Sequence, residues 1–240
     1  MKIILDNKFL RVFYKPGTGN TTLISFSGID FDIFGLNNQN REALDKPEFV
    51  HIPDGVGDRF WVVDKERLWG NSIDWIYLAS FLSDYLTNKQ VVCLGSCMGG
   101  HNAIKFSSYA AVDRVISFTP HWSVHPDEID TEIFDMRTTS LRERSIKLMT
   151  NKSLTGMFDP RTEYLNLWAP DAADIPHMLA FPNLPNIERI YFPTSTHSIA
   201  RMLLRHGILY DVIDEMIIAK EPHKKIAMLC ERAGVPHELL

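Results

Sequence analysis

Cys97 stands inside Gly95-Ser96-Cys97-Met98-Gly99-Gly100, the surroundings in this chain best suited to covalent chemistry. Four apolar residues, Val91 to Leu94, precede the first glycine, and Ala103, Ile104 and Phe106 follow the last at helical spacing. Strand, sharp turn and helix, with glycines two before and two after a nucleophile, is the G-x-S-x-G elbow pattern with cysteine in the serine's place. At the apex of so tight a turn the side chain is pushed above the sheet edge. Both flanking positions must be small, because the strand and helix backbones approach closely. The first free N–H groups of the helix, beginning with that of Met98, are aimed at the space above the thiol, where they can hold an oxyanion. A cysteine thiolate so placed attacks activated acyl carbonyls.

Such a nucleophile needs a base, and the base needs a group to orient it. His197 follows the apolar run IERIYFP (187–193) and precedes a helical pattern from Ile199, so the turn between them can present an imidazole beside the thiol. For the acid, TGMF (155–158) reads as a short strand that ends at Asp159, and Glu163 four residues on is the alternative. The plain reading of Asp159 is a turn former ahead of Pro160. A second oxyanion donor is expected from the loop after an earlier strand, where SFSGID offers the N–H of Gly28 or Ile29. An ordinary strand-ending glycine explains Gly28 as well. Ser96 reads as packing, and His101 as a packed or capping residue.

The elements that must position these groups follow from the periodicities. KIILD (2–6) and FLRVFY (9–14) read as an opening hairpin turning at Asn7–Lys8. Leu23–Phe26 and Phe60–Val63 read as strands, and a helix capped by Asn71 or Ser72 runs from Ile73 to Leu86. After the elbow strand and its helix, which ends near Ala111, comes a strand over Asp113–Pro120. Residues 126–150 read as one or two helices, their acidic and basic residues ordered to suit helix dipoles. A long amphipathic helix spans Ile199 to Ile218, and a last helix over 222–233 stops at Gly234. Residues 32–57 read as loop with a short helix near 41–45. Strands alternating with helices imply an α/β fold with a doubly wound, mostly parallel sheet, and ligands of such sheets gather at the strands' carboxyl ends.

A chain of 240 residues suits a single domain, here 1–240 with a small helical cap inserted at about 124–152. It can bury roughly 70–75% of its unfolded surface and needs no disulfides. A formal charge of −5 without a polybasic run speaks against nucleic-acid binding. The three cysteines have no zinc-like spacing, and Cys93 reads as a buried small hydrophobe. The first fifteen residues lack the pattern of a signal peptide, and no window is long enough for a membrane span, so a cytoplasmic protein is expected.

The chain resembles an α/β-hydrolase from the strand at 21–30 to the helix after His197, on Gly95, Cys97, Met98, Gly99, Gly100, the Asp159 or Glu163 carboxylate and His197. GSCMGG is similar to the G-x-S-M-G-G form of serine esterases and acyl hydrolases. The departure is the nucleophile, for which a minority resembling dienelactone hydrolase carry Cys. The resemblance implies a hydrolase of esters, thioesters or lactones that needs no metal or cofactor and takes a small acyl substrate. It also implies a cap that shapes the pocket, with Trp69, His121, Trp122 and His125 as candidate lining. An acyltransferase using the same residues, or a degenerate fold that only binds, are the alternatives.

Overall fold

The computed structural model describes residues 1–29, 47–52, 56–129 and 139–239. The expected helix near 41–45 and the middle of the 126–150 segment lie outside the described residues. The chain opens with an antiparallel hairpin, β1 (Lys2–Asp6) and β2 (Leu10–Lys15), whose turn is closed by the Asn7 side chain accepting the N–H groups of Phe9 and Leu10. β3 (Thr21–Phe26) and β4 (Arg59–Asp64) are parallel neighbours, and β2 pairs antiparallel with β4. Next come α1 (Trp75–Leu86), β5 (Gln90–Ser96), α2 (Met98–Ser107), β6 (Arg114–Phe118) and α3 (Thr139–Leu148). The chain continues through β7 (Glu163–Trp168), α4 (Ile175–Ala180), β8 (Ile187–Tyr191), α5 (Ile199–Arg205), α6 (Leu209–Ile218), α7 (Pro222–Ala233) and β9 (Glu238–Leu239).

The strands form one sheet in the order β1-β2-β4-β3-β5-β6-β7-β8-β9, parallel from β4 to β8 and antiparallel at both edges. Both faces are covered, and strand alternation sorts the core. Val91 and Cys93 of β5 face α1 and α2, with Ile24, Phe60 and Tyr164. Val92 and Leu94 face α5, α6 and α7, with Ile116, Leu165 and Ile190. All ten residues of α2 are buried, so the elbow helix is held on every side.

Several expectations need correction. Residues 155–158 form a turn, with the Met157 N–H donating to Leu154 O at 3.0 Å, and the strand lies further on, at β7. TGMF is too short and too rich in glycine and threonine to hold a central place, whereas YLNLW fills one. The N-cap of α1 is Asp74, whose carboxylate accepts the Tyr77 N–H at 2.9 Å, not Asn71 or Ser72. The single helix expected over 199–218 is two, because Gly207 takes φ 73° and turns the chain between α5 and α6. α4 and β9 carry too little periodic pattern to announce themselves. Gly234 ends α7 in the left-handed conformation, as its sequence suggests.

Candidate active site

Cys97 links β5 to α2 with φ 55° and ψ −118°, and its N–H donates to Phe118 O at 2.8 Å. A Cβ on Gly95 would lie 2.2 Å from the Gly99 carbonyl carbon, and one on Gly99 would lie 2.2 Å from Phe26 O. Those glycines are thus sterically required, for the reason the elbow spacing implies. Cys97 is half-buried while Cys93 and Cys230 are buried. Six described non-glycine residues take positive φ, Phe49, Arg67, Trp69, Asn88, Cys97 and Thr119, and four of them, Arg67, Trp69, Cys97 and Thr119, sit beyond the carboxyl ends of β4, β5 or β6. Backbone strain of roughly 1–3 kcal/mol per such residue is concentrated where the chemistry would be.

His197 comes from the turn between β8 and α5. Its N–H donates to Asp171 Oδ2 at 3.3 Å, and its carbonyl accepts from Thr119 Oγ1 at 3.2 Å. The ring Nδ1 lies 2.6 Å from Asp174 Oδ1. Because a carboxylate accepts, Nδ1 carries the proton, and Nε2 is left for Cys97. Burial alone would push this imidazole down, but the Cys97 sulfur and the Asp174 carboxylate outweigh it and hold it well above 6.5. The side chain is still 37% exposed, so solvent screens part of every one of these effects. Asp174, 1% exposed on its side chain, is pushed up from 3.8 by burial while the His197 ring pulls it down.

The acids expected from the sequence are elsewhere. Asp159 precedes β7 and pairs with Arg161, Nη2 to Oδ2 at 2.7 Å, an exposed contact that lowers it to about 2. Glu163 is the first residue of β7, at the amino end of the sheet, and accepts from Arg114 Nε at 2.7 Å. The displacement follows from the misplaced strand: with β7 at 163–168, the loop at the carboxyl end is APDAAD, which supplies Asp171 and Asp174. An apolar run YLNLW followed by proline and aspartates was the available signal.

A second imidazole reaches the sulfur. His121, on the loop after β6, places Nε2 at 3.3 Å from Cys97 Sγ. Its Nδ1 is 3.0 Å from Nε1 of Trp69. Asp64, at the end of β4, holds the Trp69 loop by accepting the N–H groups of Glu66, Arg67, Leu68 and Gly70 at 3.0–3.1 Å. His101 Nδ1 donates to His121 O at 2.9 Å, and His177 Nδ1 accepts the Trp122 N–H at 3.1 Å while its ring stacks on His121 at 4.6 Å. Burial, with the neighbouring histidines, lowers His121 well below 6.5; burial first also takes His101 and His177 to about 3. His125 is turned away, its ring 3.6 Å from Asp127.

Of the expected oxyanion donors, Met98 opens α2, where the helix itself supplies no acceptor for its N–H. The Gly28 N–H is already used: it donates to Glu48 Oε1 at 2.9 Å, and Arg67 Nη1 donates to Gly28 O. Ile29 contributes its side chain to an apolar cluster with Trp69, Met98 and Val124, against which Cys97, Leu141 and Met149 pack. Leu141 lies on α3, which is fastened over the site by Ser145 Oγ donating to Leu68 O at 3.0 Å and by Asn71 Nδ2 donating to Ser145 Oγ at 2.8 Å. A cavity of about 630 Å³ exists elsewhere, between the end of α1 and the starts of β5 and β6, at the opposite end of the sheet.

Cys97, His121 and His197 bring one donor atom each within 4.8 Å of one another, a spacing that suits a metal ligand set. The partners of the rings do not suit one. Indole N–H only donates, so His121 Nδ1 is a lone pair and Nε2 bears the proton, leaving no lone pair there for a cation.

No known protein family and no curated protein sequence matches this chain. Solved structures do match. The capsule O-acetyltransferase of Neisseria meningitidis serogroup A superposes with TM-score 0.63 at 14% identity, over 88% of this chain and 92% of that one. A protein of unknown function from Staphylococcus aureus Mu50 gives 0.55 at 11%, covering 90% and 97%. ESTFA, in its Fe-lacking apo form, gives 0.52 at 12%, covering 92% and 83%. The fold is that of the α/β-hydrolases. At these identities the likeness is one of fold alone. Cys97, Asp174 and His197 follow β5, β7 and β8, all at the carboxyl end of the sheet. Among the described residues no helix is long and apolar enough to cross a membrane.

Proposed function

We propose that this protein transfers acyl groups through an acyl-cysteine, with Cys97 as nucleophile, His197 as general base and acid, and Asp174 orienting the ring. The observation that carries the reading is the 2.6 Å Asp174–His197 contact, with a His197 ring nitrogen within 4.8 Å of the Cys97 sulfur. As Cys97 attacks, its thiol proton passes to His197 Nε2. The thiolate forms a bond to the acyl carbon, and the carbonyl oxygen becomes an oxyanion against the Met98 N–H. As the tetrahedral centre collapses, His197 gives its proton to the departing alkoxide or thiolate. A water then loses a proton to His197 Nε2 and attacks the thioester, and the Cys97 thiolate leaves.

The apolar cluster around Cys97 supports a small ester, thioester or lactone with an apolar acyl group. Transfer to a hydroxyl acceptor instead of water uses the same residues, and the fold likeness to a capsule O-acetyltransferase keeps it as a second reading. A protein that only binds would not require a charged, carboxylate-backed imidazole beside the thiol.

The test is incubation with p-nitrophenyl acetate and a panel of short acyl thioesters, followed by intact-mass measurement and turnover. An acyl adduct on Cys97 and product release are expected, and a rate that rises with added alcohol or sugar identifies transfer. No adduct and no turnover across the panel overturns the reading.

A further inference from the structure

We infer that Glu48 and Arg67 are positioning residues that make the Ile29 N–H, and not that of Gly28, the second oxyanion donor beside Met98. The inference rests on the acyl-cysteine reading of the site and deepens it.

Gly28 and Ile29 follow β3, the strand next to β5, and Gly28 lies hard against the elbow. A Cβ on Gly28 would stand 2.9 Å from Ser96 O, the carbonyl of the peptide that leads into Cys97. Ile29 packs with Met98 in the apolar cluster around the sulfur. The peptide joining Gly28 to Ile29 thus runs beside the nucleophile.

Two ionisable side chains from separate segments grip Gly28. Glu48, 1% exposed, accepts the Gly28 N–H on Oε1 at 2.9 Å, and Arg67, 4% exposed, donates from Nη1 to Gly28 O. A buried ionisable group costs stability unless it is hydrogen-bonded, so two of them on one glycine mark a peptide whose orientation is imposed. Both grips are anchored. Phe49, next to Glu48, stacks on Phe118 with ring centroids at 5.8 Å, and the Arg67 N–H donates to Asp64 Oδ1 at 3.0 Å.

Each grip bears on the oxyanion. Glu48 takes up the Gly28 N–H, which closes that donor to a substrate. Arg67 holds the carbonyl of the same peptide whose N–H belongs to Ile29. In a trans peptide C=O and N–H point opposite ways, so the guanidinium sets the Ile29 N–H facing away from itself. Arg67 follows β4 and Cys97 follows β5, and β3 lies between those strands, so the N–H is turned to the sulfur's side. A hydrogen bond to a carbonyl also polarises its amide, which makes the N–H a stronger donor.

The experiment sets a reaction that makes an oxyanion against one that does not. Acylation of Cys97 by p-nitrophenyl acetate passes through a tetrahedral oxyanion. In alkylation by iodoacetamide the sulfur bonds to the CH₂ carbon, iodide leaves, and no carbonyl is attacked. Arg67→Met and Glu48→Ala are expected to slow acylation about tenfold to hundredfold, somewhat less than outright removal of a donor, and to leave alkylation within about twofold. Glu48→Gln, whose amide oxygen still accepts the Gly28 N–H, is expected to recover most of the acylation rate. A second measurement uses the unaltered protein and is independent of how the variants fold. Trifluoroacetone takes the Cys97 thiolate on its carbonyl carbon and leaves an oxyanion. In ¹H–¹⁵N spectra the Met98 and Ile29 amide protons are expected to move downfield, while that of Gly28 stays.

Alkylation slowed as much as acylation, or neither reaction slowed, overturns the inference. So does an adduct that shifts the Gly28 amide in place of Ile29, or leaves Ile29 unmoved. Should the parent Cys97 take neither the acetyl group nor the ketone, the acyl-cysteine reading itself fails and the inference falls with it.

Discussion

Replacing Asp174 with asparagine separates this site from the one expected from the sequence. The carboxylate is 1% exposed and 2.6 Å from His197 Nδ1, so the charge centres are about 4 Å apart. At an effective dielectric near 20 such a pair is worth about 4 kcal/mol, and the 37% exposure of His197 roughly halves that. A loss of about 2 kcal/mol is about thirtyfold in rate, and a ring that also adopts the wrong tautomer can lose up to about 10⁴. Asp174→Asn should therefore lower kcat/KM for p-nitrophenyl acetate by about 30-fold to 10⁴-fold. Asp159→Asn, which disturbs only the exposed contact with Arg161, should leave it within about twofold.

The same variant carries a pH signature. The folded His197 lies above its unfolded value near 6.5, so the stabilisation of the charged ring by its partners is fully present below that value. It is lost as pH climbs through the folded value. The gap in melting temperature between parent and Asp174→Asn should thus be wide near pH 6 and shrink in alkali. Equal rates for the two aspartate variants, or a melting gap that widens with pH, would refute the reasoning.

Iodoacetamide should label Cys97 before the other cysteines, because burial pushes the Cys93 thiol up strongly and Cys230 up to about 11; peptide mass mapping reads the order. Gly99→Ala forces a Cβ against Phe26 O and should cost about 3 kcal/mol or more, seen as a melting temperature at least about 6 °C lower. Leu141→Ala removes an apolar contact of α3 from the cluster around Cys97 and should raise KM about threefold to tenfold for longer acyl chains while sparing kcat.

Local chemistry determined what was legible without coordinates. The elbow is written in adjacent residues, because a thiol on a kinked strand-to-helix turn needs glycines two before and two after it. The same holds for the short apolar runs of β3, β4, β5 and β6, whose alternation with helices implied the parallel sheet, and for His197, which follows a clear strand and precedes a clear helix. The carboxylate that faces His197 was not legible, because reading the strand at 155–158 put Asp159 at a carboxyl end, whereas β7 leaves it at the amino end.

What only the tertiary structure decided is how four distant loops meet around one sulfur. Asp174, His121 and Trp69 lie 77, 24 and 28 positions from Cys97, and no periodicity links them. Their roles depend on which partner stands behind each imidazole, a carboxylate for His197 and an indole for His121. A histidine's tautomer is set by contacts across space, so sequence names the rings and folding assigns them their chemistry.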